Sequence, residues 1–276
     1  MNEGIDIGKV KIKKEKNKHV PSKIYPDTLF TFCSKLEYLE SPIKSKMISP
    51  WYCEEDIRYL KIPKIKKIAF PMKCFCDINM HQIEEHLSWY GYYGLALTKE
   101  WGIKNNIQPI QYINPNSYLR DDYKVAFSKA LRINKKTQSK NEFIMKNYLL
   151  HQLMYLKPIS GYIRNRNTGR KTQKCFTDEC EWRYVPNISS IGYRQIYYDK
   201  EIINAGGLNS LSLSMSENPK VSLKFDYEDL KYIIVNTKED FKTLSKFINS
   251  LKEIGIEEKE ILFSKILIWE LSGGDF

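Results

Sequence analysis

The sequence predicts an α+β fold, a single domain with a mixed, largely antiparallel sheet flanked by helices. Three observations support this class. Segments with strand character and segments with helical spacing are interspersed, but their order is too irregular for a doubly wound sheet. No glycine-rich phosphate loop follows any predicted strand. Neither an internal repeat nor a clear linker divides the 276 residues.

The N-terminal segment is rich in lysine and has little to bury, so residues 1–24 are predicted to be a basic, mobile lead-in. The domain itself is expected to span residues 25–276. Residues 28–33 form a short apolar run that is typical of a buried strand, and Ser34 could cap the short helix that follows.

The central stretch, residues 70–113, concentrates cysteine, histidine, tryptophan and tyrosine. Asn79 is predicted to cap a helix that Gly91 ends, because asparagine and glycine are favoured at these two positions. The predicted elements are a strand at 73–78, a helix at 80–90, a strand at 94–98, a short helix at 99–106 and a strand at 108–113.

The second half continues the mixture of helices and strands. Apolar residues at helical spacing predict long helices, and short apolar runs predict strands. The predicted elements are helices at 117–133, 139–156 and 240–251, an exposed loop or hairpin at 157–174, strands at 181–185, 221–225 and 232–235, and a strand or helix at 261–271.

The charge is strongly positive, with 44 basic and 33 acidic residues, a net charge of +11. Such a field attracts phosphates, nucleic acid or an acidic protein. An A/T-rich genome, which favours lysine codons, explains a diffuse excess equally well. The N-terminus has no apolar core of the signal-peptide type, the six cysteines are scattered, and no apolar run is long enough to span a membrane. These features predict a cytoplasmic protein without disulfides.

A metal site is not expected in the central stretch, although Cys74, Cys76, His81 and His86 lie close together. Their spacing matches no standard zinc pattern, and the two histidines would point about 140° apart on one helix. Buried structural cysteines are the better interpretation.

The segment TDECEWRYVP, residues 177–186, is a candidate site. In an extended conformation Glu179, Glu181 and Arg183 share one face, and Trp182 lies on the other. Such a row is either a structural ion-pair arrangement or a polar site in which one carboxylate reacts and the arginine binds an anion.

The segment HLSWYGYYG, residues 86–94, is a second candidate. Aromatic side chains beside glycines suit the stacking of a planar ligand such as nicotinamide or a base, with His86, Tyr90 and Tyr93 as candidate contacts. Packing in the core is the alternative.

The polar segment 157–174 contains no acidic residue. Solvated charge is the simplest interpretation. The alternative is contact with phosphate, RNA or an acidic partner. The candidate contact residues are Arg164, Arg166, Arg170 and Lys171.

The stretch FPMKCFCDINMHQIEEHLSWYGYYGLALTKEWGIKNNIQPIQYI, followed by FTDECEWRYVP, resembles the AbiGi-type abortive-infection, or phage-resistance, family of bacteria. The resemblance covers most of residues 28–270. It implies a role in phage defence, within an abortive-infection or toxin–antitoxin pair, and a cognate defence protein or a phage component as the partner.

A looser likeness extends to ADP-ribosyltransferase-like toxins. It places their opening strand at 29–33, their aromatic element at 89–98 and their acidic strand at 179–183, with Thr31 where those folds carry a histidine that holds NAD. This likeness implies NAD as the cofactor, Glu181 as the catalytic carboxylate with Glu179 as the alternate, and Arg183 as the phosphate ligand.

The chemistry predicted on this basis depends on one spatial condition. Tyr90 and Tyr93 would flank the nicotinamide in a cleft shared with the acidic strand, while Glu181 stabilises developing oxocarbenium charge. A non-catalytic antitoxin or sensor that binds a partner is the alternative hypothesis, and a module that binds nucleic acid through its basic loop is a third.

Overall fold

The computed structural model describes residues 19–134, 136–164, 169–188, 191–201 and 205–273. The strands are β1 (Thr28–Cys33), β2 (Met47–Ile48), β3 (Trp51–Asp56), β4 (Lys67–Cys76), β5 (Tyr93–Thr98), β6 (Gln108–Pro109), β7 (Gln111–Ile113), β8 (Leu156–Pro158), β9 (Ser160–Arg164), β10 (Lys171–Cys175), β11 (Glu181–Tyr184), β12 (Tyr197–Tyr198), β13 (Leu223–Lys224), β14 (Leu230–Val235) and β15 (Ile266–Ile268). The helices are α1 (Glu37–Ser45), α2 (Ile83–Tyr90), α3 (Lys99–Lys104), α4 (Tyr118–Arg132), α5 (Lys140–Leu153), α6 (Ala205–Ser216), α7 (Lys238–Ser250), α8 (Ile256–Ser264) and α9 (Trp269–Ser272).

Within the described ranges, nine strands form the main sheet, in the order β15-β14-β5-β1-β4-β11-β6, with β3 and β12 also paired to β4. Only β14 and β15 pair in parallel there; the other described pairs of this sheet are antiparallel. Three small two-stranded sheets accompany it, β9 with β10, β2 with β13, and β7 with β8. The predicted α+β class with a mixed, largely antiparallel sheet is confirmed.

Side chains alternate between the two faces of the sheet. Face A carries Phe30 of β1, Cys76 of β4 and Glu181 of β11, which are cross-strand partners. Face B carries their neighbours along the chain, among them Phe75 and Trp182. Each predicted site residue on a strand can therefore be assigned to one face.

Face A has two apolar clusters. In the first, Phe70 and Met72 of β4 pack against α4 and α5 through residues such as Phe127 and Leu153. In the second, Phe30 and Cys76 pack against α2 and α9, with Leu87 fully buried. The space between these clusters holds the candidate site.

Face B is covered by helices α1, α3, α7 and α8 over most of its width. Leu244 and Ile248 of α7 pack there with Leu29, Leu97 and Ile233 of the sheet. A smaller cluster joins Ala69 of β4 to α6 through Met215. Burying these apolar side chains supplies the main favourable contribution to the stability of this half of the fold.

Gly91 fixes how α2 joins β5. Its φ of +112° is in the region that favours glycine, and a Cβ there would lie 2.2 Å from the carbonyl oxygen of Cys33. The Gly91 N–H donates to the Leu87 carbonyl and ends the helix. The chain therefore turns directly from a helix above face A into a strand of the sheet.

The predicted strand at 108–113 is in fact two strands. Gln108 pairs with β11, whereas Gln111–Ile113 runs parallel to β8 in a separate sheet. The break falls at Ile110, whose N–H donates to the carbonyl of Glu181 at 3.0 Å. Because β6 pairs with β11 and β7 pairs with β8, this break places β8 close to β11, the strand that contains Glu181 and Arg183.

Several predicted boundaries also change. Ser34 does not cap α1, which begins at Glu37 after Leu36. Asn79 precedes a 3₁₀ turn at Met80–Gln82 and makes no side-chain capping bond. Of residues 221–225 only Leu223 and Lys224 pair in a strand. Residues 1–18 of the predicted lead-in lie outside the described residues.

The predicted hairpin is present as β9 and β10, paired from Ser160 with Cys175 to Arg164 with Lys171. The expectation that the whole segment 157–174 is exposed is wrong at both ends. Lys157 is 8% exposed and Lys174 is 7% exposed. Both ammonium groups are turned towards the buried carboxylates described below, because an unpaired buried charge is costly.

Candidate functional site

Six charged side chains meet on face A, between its two apolar clusters. We call them the ionic cluster, and its members are Glu55, Lys157, Lys174, Glu179, Glu181 and Arg183.

Strand β11 supplies the centre of the ionic cluster. Glu181 and Arg183 are two residues apart and therefore both lie on face A, opposite Cys76 and Cys74 of β4. Glu179 comes from the 3₁₀ turn Thr177–Glu179 immediately before the strand. The predicted grouping of these three side chains is present, although Glu179 is not part of the strand.

Lys157 of β8 connects the two carboxylates. Its Nζ atom lies 2.5 Å from Glu179 Oε2 and 2.7 Å from Glu181 Oε2, and it donates a hydrogen bond to each. The same Nζ atom is 4.6 Å from the centre of the Phe176 ring. One ammonium group therefore forms an ion pair with both carboxylates.

Arg183 is fully buried and pairs with Glu181 on its own strand. Its Nε donates to Glu181 Oε1 at 2.8 Å, and its Nη1 donates to the Met154 carbonyl at 2.6 Å. Nη2 lies 3.5 Å from Oε1 of Glu55, which reaches face A from β3. Phe70 lies beside the guanidinium, with 5.7 Å from Cζ to the ring centre.

Lys174 and Tyr90 complete the ionic cluster around Glu179. Lys174 Nζ is 3.0 Å from Glu179 Oε1 and lies 4.7 Å and 4.6 Å from the ring centres of Trp89 and Tyr90. The Tyr90 hydroxyl donates a hydrogen bond to the same oxygen. The aromatic segment and the acidic segment are therefore in direct contact.

The protonation of the carboxylates follows from these contacts. Burial alone would raise the pKa of Glu181, but the charges of Arg183 and Lys157 outweigh it and lower the pKa to about 2. Burial also opposes ionisation of Glu179, and Lys157 and Lys174 again lower its pKa below the ordinary value. Both groups are therefore carboxylates at neutral pH.

The cations are held in their charged forms in the same way. Burial disfavours the ammonium of Lys157, yet Glu181 and Glu179 raise its pKa well above the usual range. His86 is the opposite case, because burial and the charge of Lys174 lower its pKa to about 4. His86 is thus neutral at physiological pH, packed near Phe32 and Tyr90.

The sequence-predicted site residues divide between the two faces. Glu179, Glu181, Arg183, Tyr90 and His86 gather on face A.

Thr31 and Tyr93 lie on face B. Thr31 pairs across strands with Leu95, which belongs to the apolar cluster of that face. Tyr93 packs against the same cluster, and burial and the nearby charge of Asp240 on α7 raise its pKa. The sheet therefore separates these two residues from Glu181. Tyr90 and Tyr93 do not flank a common ligand position.

Arg170 and Lys171, two of the predicted basic contacts, lie on the β9–β10 hairpin. Arg170 and Lys171 are exposed, and Lys171 Nζ lies 5.4 Å from the ring centre of Tyr162. Arg164 ends β9, and its side chain lies outside the described residues, as does Arg166 entirely. A contact with nucleic acid or a partner at this hairpin remains a prediction.

Three members of the ionic cluster were missed by the sequence reasoning, namely Glu55, Lys157 and Lys174. Nothing local distinguishes these lysines from solvated ones. The available signal was indirect. Two carboxylates and one arginine, Glu179, Glu181 and Arg183, are predicted to lie on one face of one strand, and if they are buried they require further cations.

The chemistry of the ionic cluster is limited by its pairing. Three cations face three carboxyl groups, and only Glu55 among the six residues is partly exposed. Each carboxylate of Glu179 and Glu181 is shared by two cations. Within the described residues no group of His, Cys, Asp and Glu side chains could hold a metal ion.

No helix of the described ranges has the length and apolar character needed to cross a membrane.

Comparison with known proteins gives a family. Residues 46–236 match a family model described as "Putative abortive phage resistance protein AbiGi, antitoxin". The chain belongs to the AbiGi family. It is similar to the abortive phage resistance protein AbiGi of Lactococcus lactis subsp. cremoris, with 35% identity over 239 residues that cover 80% of this chain and 96% of that protein. No solved structure matches the chain.

Proposed function

We propose that this AbiGi family member acts in abortive phage resistance as the antitoxin of a toxin–antitoxin pair. It binds a cognate partner protein and restrains it, without a catalytic step of its own. The family description, which includes the word antitoxin, supports the pairing with a partner. The arrangement of charge on face A supports the absence of catalysis.

One observation carries this proposal. Glu181, the residue predicted to be catalytic, is 5% exposed and bonds to Lys157 Nζ and Arg183 Nε. A carboxylate that stabilises developing positive charge must face the substrate. Here both carboxylate oxygens face protein cations instead, which favours a structural role for the ionic cluster.

NAD chemistry is the competing hypothesis. It requires Thr31, Tyr93 and Glu181 to line one pocket, whereas the main sheet lies between the first two and the third. The known matches name phage resistance and make no mention of a nucleotide. We therefore assign no cofactor to the antitoxin.

The test is expression of this gene alone and together with the reading frame next to it. The adjacent protein alone should arrest growth, and co-expression of this chain should restore it. This chain alone should leave growth and cellular NAD unchanged. A version with an early stop codon, which keeps the RNA but removes the protein, is the control and should give no rescue.

Two results would overturn the proposal. One is growth arrest with loss of NAD when this chain is expressed alone, which is the outcome expected of an ADP-ribosyltransferase-like effector. The other is failure of the intact chain to bind or neutralise the adjacent protein.

A further inference from the structure

Helices α4 and α5 form a helical hairpin whose outer surface combines exposed apolar and exposed basic side chains. The hydroxyl of Tyr123 donates to the carbonyl of Leu149 at 2.6 Å, which places the two helices side by side. Their inner faces pack on face A through residues such as Phe127 and Leu153. Both outer faces therefore point away from the sheet.

Apolar side chains occupy these outer faces. On α4, Tyr118 and Val125 are seven residues apart and lie on one side, opposite the buried Phe127. On α5, Ile144, Met145 and Tyr148 lie opposite its buried side. We call these five residues the hairpin surface; each of them is more than half exposed: Tyr118, Val125, Ile144, Met145 and Tyr148.

Basic side chains border the hairpin surface. Lys129 and Arg132 continue the outer stripe of α4, and Lys140 begins α5 beside its stripe; all three are exposed. Across the described part of the chain, none of the three takes part in an ion pair. Other exposed lysines do, including Lys67 with Glu54 and Lys104 with Glu100.

The acidic residues nearby are already engaged. Asp121 pairs with Arg120 at 2.8 Å, and the Glu142 carboxylate accepts a hydrogen bond from the N–H of Ser139, the N-cap of α5. The hairpin surface therefore presents apolar side chains bordered by cations that pair with no acidic residue of the same two helices. Asp122 is also exposed there, and among the described residues it forms no ion pair with these cations. Apolar contacts supply binding energy, and unpaired rim charges set the sign of the partner.

We infer that the hairpin surface is the docking site for an acidic amphipathic helix of the cognate partner protein. Leucine-like residues of that helix would cover Val125, Ile144 and Tyr148, and flanking Glu or Asp side chains would meet Lys129, Arg132 and Lys140. This inference rests on the proposed function, because it assigns the antitoxin's partner to one surface.

The experiment measures binding of the purified full-length chain to the purified protein encoded by the adjacent reading frame, by calorimetry at two salt concentrations. Ile144→Asp places a charge in the apolar surface and should weaken binding by about tenfold or more. Ile256→Asp makes the same change at an exposed isoleucine on α8, which covers face B. That control should bind like the unchanged chain.

The basic rim is tested separately. Lys129→Glu combined with Lys140→Glu should also weaken binding by about tenfold and reduce its dependence on salt. Lys246→Glu combined with Lys252→Glu, at two exposed positions in and just after α7, changes the net charge by the same amount and is the matched control, which should have no effect. Thermal unfolding midpoints close to that of the unchanged chain would show that these exposed substitutions leave the fold intact.

The outcomes separate the two proposals. If the chain binds the partner and Ile144→Asp binds equally well, the hairpin surface is overturned while the antitoxin proposal stands. If the unchanged chain does not bind, both fall. RNA that copurifies with the unchanged chain is also measured. If the rim variants lose this RNA but bind the partner protein as well as before, the surface is a nucleic-acid site and the inference is wrong.

Discussion

The two faces of the main sheet bury charge in different ways. On face B the described residues include one isolated buried pair, Lys99 with Asp77, whose ammonium nitrogen and carboxylate oxygen are 2.8 Å apart. On face A six charged groups form a connected set of ion pairs, in which the ammonium of Lys157 pairs with both Glu179 and Glu181. The strands are the same, so the difference comes from the elements that cover each face.

This difference has a thermodynamic consequence. Removing Lys99 takes the cation from one buried carboxylate, whereas removing Lys157 takes a cation from two buried carboxylates at once. Glu179 then depends on Lys174, and Glu181 depends on Arg183. Lys157 pairs with two carboxylates, so its substitution is expected to lower the stability of the fold more than that of any other member of the ionic cluster.

The largest expected effect is that of Lys157→Met, which keeps the aliphatic stem and removes the ammonium. We expect the free energy of unfolding at pH 7 to fall by about 3–5 kcal/mol, the cost of breaking a buried pair. Lys99→Met on face B should cost less. Urea denaturation measures both. A smaller loss for Lys157→Met than for Lys99→Met would contradict the distinction between the two faces.

Acid should destabilise face A in two steps. His86 has its pKa lowered from 6.5 to about 4, so the unfolded state binds a proton first and stability falls as the pH drops from 6.5 towards 4. The size of this step is on the order of 3 kcal/mol. The lowered pKa of Glu181, about 2 against an ordinary 4.5, gives a further loss as the pH falls from 4.5 towards 2.

His86→Gln separates these two steps. Glutamine does not titrate, so this variant should lose only the step between pH 6.5 and 4 while the lower step remains. Urea midpoints measured from pH 7.5 to pH 3 would show it. An unchanged slope above pH 4.5 would mean that His86 does not contribute.

The smallest expected effect is that of Tyr90→Phe. This change removes one hydrogen bond to Glu179, which is still held by Lys157 and Lys174, so the loss should be about 1.5–3 kcal/mol. The ring remains beside Lys174. A loss larger than that of Lys157→Met would indicate that the hydroxyl, and not the shared ammonium, organises the ionic cluster.

Local patterns predicted much of the fold. The strand at Thr28–Cys33 has the predicted bounds, and α7 was placed within two residues at its start, because apolar spacing and capping residues are local properties. The break at Ile110 could not be predicted in this way, since its N–H bonds to Glu181, which lies far along the chain.

The candidate site was only half predictable for the same reason. Glu181 and Arg183 are two residues apart, so strand geometry alone groups them. Lys157 and Glu55 approach them from other strands, and only the folded chain brings those charges together. Tyr93 was wrongly grouped with Tyr90. Tyr90 is the last residue of helix α2 above face A, whereas Tyr93, after the turn at Gly91, begins β5 and lies on face B.

The most direct test of the central claim is the double variant Lys157→Met/Glu181→Gln. It removes one positive and one negative charge and leaves the pairs Arg183 with Glu55 and Lys174 with Glu179. We predict that the folded double variant, verified by its circular dichroism spectrum and partner binding, neutralises the adjacent protein as well as the unchanged chain does. A folded variant that still binds the partner but no longer neutralises it would contradict the account, because Glu181 would then have a chemical role.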